Sequence, residues 1–196
     1  MTTKSGPDRP HTPPSPLQAG TLLAACPFLS DAPFRRRLLL LAEHGQSGSV
    51  GFVLNDYSGY RLGELLPGFE GWDIPVWTGG PVERDTLHIV QIQSPRLAEC
   101  DEMVPGIWWN AQPAEVMRLA GEGLLESEKW FFFLGYAGWS PGQLESEFGD
   151  HYWISGPYQR ALMPREGSAT QWSDFLDGLG APFAWLSRAP MHPSMN

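Results

Sequence analysis

Short apolar runs, often ended by glycine or proline, are the main pattern along this 196-residue chain. Runs of five or six residues are too short for helices, so they predict buried strands. We predict such strands at 20–25, 38–42, 49–54 and 130–134, and shorter ones at 107–109 and 152–154. Residues 86–92 alternate with a period of two, which predicts a strand with Leu87, Ile89 and Gln91 on one face and His88 on the other.

Helical patterns are fewer and lie between these strands. The clearest covers 113–125, because Pro113 suits a first turn and an apolar stripe follows it. Shorter helices are predicted at 62–66 and at 173–179, the second with Ser173 as its cap. Hairpin-like strands with helices inserted between them predict an α+β fold, in which a few peripheral helices surround a mainly antiparallel or mixed sheet.

The two ends of the chain differ in composition from the region between them. Residues 1–16 contain five prolines among polar residues, and such a segment buries too little apolar surface to order itself. We predict disordered tails at 1–16 and 188–196, and a single domain at 17–187. No secretory signal and no run near the roughly 18 apolar residues of a membrane span are present. We therefore expect a cytoplasmic protein that does not enter a membrane.

The charge of the chain argues against direct binding of nucleic acids. The formal net charge is −9, and an acidic surface repels the phosphates whose neutralisation supplies most non-specific affinity. The one basic run is Arg35-Arg36-Arg37, which on a strand places Arg35 and Arg37 on one face and Arg36 on the other. Because such runs are usually solvated, we expect no nucleic-acid site there.

No complete catalytic or metal-binding motif occurs in the sequence. The five histidines lack ligand spacing, and Cys26 and Cys100 fit neither a zinc site nor a dithiol motif. The segment GQSGS at 45–49 lacks the glycine placement of a nucleophile elbow, so we interpret it as a hairpin loop. We therefore assign no catalytic residue, no metal and no cofactor, and we expect Cys26 to be a buried structural cysteine.

The segment GYAGWSPGQLESEF at 135–148 combines glycines, aromatic residues and carboxylates. Ser140 and Gln143 fit the two ends of a capping box, with a proline at the first helical position between them. Glu145 and Glu147 are two residues apart, so on a helix they point to different faces and form no acid–base pair by themselves.

Two glycine-containing segments need a backbone explanation. TGGP at 78–81 suits either a plain turn or a nest of backbone N–H groups for an anion, and the turn is the favoured interpretation. Gly135 and Gly138 indicate close approach of another backbone, or a positive φ at Gly138.

Four ordered segments of the chain resemble the YqgE/AlgH family of bacterial proteins. GYAGWSPGQLESE is similar to the family signature G-x-A-G-W-x-x-G-Q-L-E-x-E. The other segments are the opening strand at 20–25, His44 followed by GSVGFVLN at 48–55, and TGGPV at 78–82 followed by Leu87-His88. The resemblance covers about 17–186, with Ser49 where the family usually has alanine. It implies a compact α+β fold with a bulged, partly closed sheet (a pseudo-barrel), and it carries over no catalytic residue.

The leading functional hypothesis is a non-enzymatic binding or regulatory protein. The missing catalytic motif, the acidic charge and the aromatic–glycine loops motivate it. The resemblance adds indirect regulation of transcription, through a protein or small-ligand partner whose identity is unknown. The candidate binding residues are His44, Asn55, Gly79, Gly80, His88, Gly138, Trp139, Gln143 and Glu145.

The alternative hypothesis is an enzyme whose site is assembled from His44, His88 and Glu145, with Cys26 as an optional fourth member. It predicts two or more of these side chains within hydrogen-bond reach in one cleft. Convergence of the motifs on an exposed cleft favours binding or chemistry, whereas interlocking inside the sheet makes them determinants of the fold. A third hypothesis, direct DNA binding, requires a basic groove near 35–37.

Overall fold

The computed structural model describes residues 16–28, 34–92, 99–168 and 170–189. Apart from Pro16, the predicted N-terminal tail lies outside the described residues, as do residues 190–196 of the C-terminal tail. A short 3₁₀ helix, Leu186–Arg188, leads into Ala189, which is buried. The packed structure therefore extends two residues beyond the predicted end of the domain at 187.

Ten strands are present in the described part of the chain. They are β1 (Leu22–Ala25), β2 (Leu38–Gly45), β3 (Gly48–Val53), β4 (Tyr57–Arg61), β5 (Pro75–Thr78), β6 (Val82–Ile92), β7 (Asp101–Val104), β8 (Ile107–Trp109), β9 (Trp130–Trp139) and β10 (Trp153–Gly156). Every strand predicted from an apolar run is present. The strands β4, β5 and β7 were not predicted, because their residues show neither a sustained apolar run nor a clear alternation.

The strands form one mainly antiparallel, branched sheet. Its main order is β10–β1–β2–β3–β9–β6–β8–β7, and β5 joins it through β9 and carries β4. The pairing of β5 with β9 is parallel, and the other pairs are antiparallel. Bulges interrupt several ladders, including β2–β3 and β6–β9. The predicted α+β fold with a bulged, mainly antiparallel sheet is confirmed. The sheet is not closed, although β7 comes close to β2 without pairing with it.

Both faces of the sheet are covered by apolar side chains. In β2, Leu38 and Leu40 belong to one buried cluster, whereas Leu39 and Leu41 belong to another on the opposite face. A strand buried on both faces needs apolar residues at consecutive positions, which explains the uninterrupted run at 38–42.

The helices pack at the periphery of the sheet. They are α1 (Leu62–Leu65), α2 (Pro113–Gly121), α3 (Gln143–Gly149), α4 (Gln171–Gly178) and α5 (Ala181–Ala184). No helix in the described ranges is long and apolar enough to cross a membrane.

Two helix boundaries differ from the prediction. α2 ends before 125 because Gly123, at φ +71°, closes it: the Leu124 N–H donates to the Leu119 carbonyl over 2.9 Å. α4 begins two residues before the predicted cap, and the Ser173 hydroxyl donates instead to the Thr170 carbonyl over 2.9 Å.

Arg35 and Arg36 lie in a turn, and Arg37 lies between that turn and β2, so the strand on which the predicted distribution over two faces depended is not formed. Arg36, at φ +53°, stacks 5.1 Å from the ring centroid of Trp172 and donates to the Ala189 carbonyl. Arg37 forms an ion pair with Asp56 over 2.8 Å. Both side chains therefore hold neighbouring segments together, which differs from the solvated run expected from the sequence.

Candidate functional site

Three segments that carry the recognised motifs meet at one corner of the molecule, which we call the α3 corner. The β2–β3 hairpin supplies His44 and Ser49, which lie opposite each other in register. The end of β9 runs beside the hairpin, with Trp139 opposite Ser49. The helix α3 follows β9 after a tight turn and packs against β3 and β10. Sequence segments some 90 residues apart are thus brought together by strand pairing.

Glu147 is the centre of the hydrogen bonds at the α3 corner. Its Oε2 accepts from the indole N–H of Trp139 over 2.9 Å and from the indole N–H of Trp153 over 2.8 Å. Its Oε1 accepts from the side-chain amide of Gln143 over 2.8 Å. The two indole rings meet edge to face, with centroids 5.8 Å apart. This carboxylate is therefore committed to joining α3 with β9 and β10, a role that the sequence reasoning did not assign to it.

The turn before α3 differs from the predicted capping box. The Gln143 side chain accepts from the Ser140 N–H over 3.0 Å, as predicted. The Gln143 N–H, however, donates to the Ser140 carbonyl over 2.9 Å and not to the Ser140 hydroxyl. Gly142 has φ +77° and precedes the helix, which starts at Gln143. SPGQ is thus a type II turn, in which proline and glycine occupy the two central positions that favour them.

His44 links the hairpin to α3. Its Nδ1 lies 2.8 Å from the Ser49 hydroxyl, and its Nε2 lies 3.8 Å from Glu145 Oε1. The structure therefore brings together two predicted site residues, His44 and Glu145, at ion-pair distance. Ser49, the side chain that could act as a nucleophile beside them, is only 5% exposed.

The segments TGGPV and GYAGW interlock inside the sheet. A Cβ added to Gly79 would lie 2.1 Å from the Gly135 carbonyl oxygen, and one added to Gly80 would lie 2.1 Å from the Tyr136 carbonyl carbon. The Gly79 N–H donates to the Leu134 carbonyl over 2.8 Å. This N–H is therefore not available for an anion nest, and the geometry supports a role of these glycines in the fold. Their predicted role in binding stays a prediction.

Gly138 does not have the positive φ that was predicted as one of two explanations. Gly135 has it instead, at φ +66°. A Cβ on Gly138 would lie 3.0 Å from the ring of Tyr136, which is a side chain, so the predicted close approach of another backbone is not found there; it is found at Gly135, where a Cβ would lie 2.5 Å from the Val82 carbonyl oxygen.

Asn55 joins two segments at the end of the β3 region. Its Nδ2 donates to the Arg36 carbonyl over 2.8 Å, and its Oδ1 accepts from the Leu38 N–H over 3.0 Å. The side chain thus uses both its donor and its acceptor to hold the segment that leads into β2 in place.

His88 and Cys26 lie outside the α3 corner. The His88 ring packs against Phe52 and Tyr136, with centroids 5.6 and 5.5 Å away. Burial lowers the pKa of His88, although the charge of Glu83 opposes the shift. Within the described ranges, no hydrogen bond or ion pair connects His88 or Cys26 to His44 or Glu145, and no group of three or more potential ligands could hold a metal ion. Of the residues in the enzyme alternative, His44 and Glu145 are joined in the described structure and His88 and Cys26 are not, and their role in catalysis stays a prediction.

A cleft of about 390 Å³, which we call the β9 cleft, opens where β5 begins, β6 ends and β9 begins. The 3₁₀ helix Arg160–Leu162 and the residues after it form a further wall. The apolar lining includes Trp77, Ile92, Trp130, Phe131, Ala161 and Met163. Its volume lies at the small end of the roughly 300–1,000 Å³ typical of ligand sites, which also share this apolar character.

Charged groups surround the opening of the β9 cleft. Arg160, Arg165, Asp73 and Glu128 belong to its lining. Arg61 connects two of the walls, because its guanidinium lies 3.2 Å from Asp73 and 2.5 Å from Glu166. The cleft therefore combines an apolar interior with a mixed charged rim.

The sequence reasoning did not identify the β9 cleft. Its walls come from four separate segments, at 73–77, at 92, at 127–131 and at 160–165. The last of these has no helical or strand periodicity, and no motif marks it. The available signal was weak: an arginine pair, Arg160 and Arg165, stands in a chain whose net charge is −9.

Comparisons with known proteins agree with the resemblance noted in the sequence. A sequence model described as DUF179, AlgH-like, matches residues 22–184. The UPF0301 protein CT0663 of Chlorobaculum tepidum is 33% identical over 180 residues, which cover 92% of this chain and 96% of that protein.

Two solved structures share the fold. The solution structure of the AlgH protein from Pseudomonas aeruginosa superposes with a TM-score of 0.70 at 26% identity, over 93% of this chain and all of that one. Protein DIP2367 from Corynebacterium diphtheriae gives a TM-score of 0.75 at 22% identity, over 88% of this chain and 93% of that one, which is evidence for the fold alone. Together with the family match over most of the sequence, these similarities establish that the chain belongs to the AlgH-like family of UPF0301 proteins.

Proposed function

We propose that this protein is a non-enzymatic binding protein that holds a small organic ligand in the β9 cleft. The observation that carries the proposal is the cleft itself, a volume of about 390 Å³ walled by Trp77, Trp130, Phe131 and Met163. Large aromatic side chains around a concave space bury much of a small ligand at little cost in ordering, because the walls on β5, β6 and β9 are already fixed by strand pairing.

The positions of the titratable side chains favour binding over catalysis. The described lining of the β9 cleft contains carboxylates and guanidinium groups, whereas His44 and His88 are each engaged elsewhere. Arginine remains protonated at neutral pH and therefore serves poorly as a general base. A cleft with these groups is suited to holding a ligand and less suited to moving its protons.

We extend this proposal from ligand binding to a regulatory role. Ligand in the β9 cleft would contact β5, β6 and β9 together, and β9 also pairs with β3 beside the α3 corner. We therefore propose that the occupied protein acts in the cytoplasm on a protein partner, and so on transcription indirectly, as the AlgH-like sequence motifs led us to expect.

The experiment that tests the proposed function uses 2-naphthamide, a flat, uncharged probe, in isothermal titration calorimetry. We expect saturable binding to one site with a dissociation constant of about 0.1–1 mM, which is ordinary for a fragment of this size. Ala161→Trp places a bulky ring in the cleft wall and should abolish binding. Ala114→Trp, on the exposed face of α2, is the matched control and should bind normally. Absence of binding to the wild type at about 5 mM, both of 2-naphthamide and of the corresponding acid 2-naphthoate, would refute the proposed function.

The enzyme alternative has one observation in its favour, the line of side chains Ser49, His44 and Glu145 at the α3 corner. The distances are 2.8 Å and 3.8 Å, but the Ser49 hydroxyl lies on a side chain that is 5% exposed. A nucleophile must reach a substrate carbonyl, and this one is covered. We expect no labelling of Ser49 by a fluorophosphonate probe, measured by intact mass; a stoichiometric adduct that Ser49→Ala prevents would support a hydrolase instead.

A further inference from the structure

We infer that the ligand of the β9 cleft is an organic anion, with a flat apolar body and one carboxylate or similar oxyanion. This inference rests on the proposed function, because it names the chemical class that the same cleft binds. The observation behind it is an excess of hydrogen-bond donors over available acceptors among the described groups of the cleft.

The first donor is the indole N–H of Trp130, the residue that starts β9. Trp130 lines the cleft, is 2% exposed, and its Nε1 has no hydrogen-bond partner among the described residues. A buried donor left unpaired costs about 1–3 kcal/mol, so such groups usually have a partner. The ring lines the cleft although this N–H is itself covered, so the acceptor oxygen of a ligand becomes its partner when the ring shifts towards the cleft on binding.

The second and third donors are the guanidinium groups of Arg160 and Arg165. The Arg160 side chain makes no hydrogen bond or ion pair with another described residue, and the nearest carboxylate to Arg165, on Asp174, is 3.9 Å away. Planar guanidinium groups suit the two oxygens of a carboxylate, and hydrogen bonds between charged partners are about twice as strong as neutral ones.

The acceptors of the rim are less available than the donors. Asp73 is already paired with Arg61 over 3.2 Å. Glu128 has no such partner in the described structure, so the rim presents two arginines, Arg160 and Arg165, against one unengaged carboxylate, and all three side chains are exposed. The indole N–H donates to an oxygen partner of any charge, so the preference for an anion over a cation rests on the two arginines, of which Arg160 has no hydrogen-bond or ion-pair partner in the described structure.

The apolar lining of the β9 cleft determines the character of the uncharged part of the ligand. Trp77, Trp130, Ile92 and Met163 are nearly fully buried, so each offers only a small area to the cleft, and the half-buried Phe131 adds to it. Such walls suit an aromatic or branched hydrocarbon body of moderate size. The net charge of −9 repels an approaching anion at long range, but at physiological salt this field is screened within about 8 Å, so the two arginines dominate near the opening.

The test compares 2-naphthoate with 2-naphthamide, which have the same ring and differ in the charge of one group. In calorimetric titrations of the full chain, we expect 2-naphthoate to bind about tenfold more tightly than 2-naphthamide. Arg160→Gln should remove this preference by weakening only the acid, while its affinity for the amide stays unchanged. Arg118→Gln is the matched control: Arg118 pairs with Glu115 and Glu122 on α2 and lies outside the cleft. Equal melting temperatures of the variants show that each is folded.

The outcomes separate the inference from the proposed function. Equal binding of acid and amide to the wild type would overturn the anion inference and leave the binding function standing. A preference for the acid that survives the double substitution Arg160→Gln and Arg165→Gln would also overturn the anion inference, because the two guanidinium groups would then not be its cause. Binding of neither probe would refute the proposed function itself.

Discussion

Replacement of Glu147 by alanine should lower the free energy of unfolding by more than is usual for a residue near the surface. The change leaves the indole N–H groups of Trp139 and Trp153 without their acceptor, and these side chains are 6% and 5% exposed. Each unpaired buried donor costs about 1–3 kcal/mol. Water can enter part of the vacated space, so we expect a total loss of about 2–4 kcal/mol, a large share of the roughly 5–15 kcal/mol typical of domains.

The measurement is urea unfolding followed by far-ultraviolet circular dichroism at pH 7. Glu147→Gln keeps an acceptor oxygen without its charge and should lose about half as much as Glu147→Ala. Glu145→Ala is the control on the same helix: its carboxylate is 50% exposed and 3.8 Å from His44, so a loss below about 0.5 kcal/mol is expected. Equal losses for the alanine variants of Glu145 and Glu147 would refute the reasoning, provided that the denaturant dependence is unchanged.

Two further predictions concern the sheet. Gly80→Ala places a Cβ 2.1 Å from the backbone of Tyr136 and should cost at least about 3 kcal/mol or prevent folding, whereas Gly149→Ala, with open space around it, should leave the urea midpoint unchanged or raise it. Burial lowers the pKa of His88, so the unfolded chain binds more protons below about pH 6.5 and stability falls as the pH drops through that value. His88→Phe should flatten this loss between pH 7.5 and 5.5 in urea titrations; an unchanged slope would contradict the assignment.

Much of the fold was predictable because its strands are buried in a regular way. Apolar runs such as 38–42 revealed strands covered on both faces. The alternation at 86–92 predicted neighbouring residues on opposite faces, and Ile89 and Val90 do belong to different buried clusters. The strands β4 and β5 were missed, since β4 is half exposed and β5 is short. Local pattern carries little information about such elements, whose stability comes from pairing with each other and with β9.

The candidate sites were less predictable than the fold. SPGQ satisfies the residue preferences of both a capping box and a type II turn, and the backbone conformation at Gly142 decides between them. The partners of Glu147 stand eight residues before it and six residues after it, on different strands. The β9 cleft depends on the meeting of four segments, which no short-range pattern encodes.

The position of β9 has a consequence for how this chain folds during synthesis. This single strand pairs with β3, β5 and β6, which all precede it in the sequence by many residues. Within the described residues, strand pairing joins the β1–β2–β3 and β6–β8–β7 parts of the sheet through β9, so neither part has its final strand neighbour until the ribosome has released residue 139. Contacts of such long sequence separation slow folding. Nascent chains that end before this strand therefore expose unpaired β3 and β6 edges, and chaperones that bind extended apolar segments are expected to associate with them.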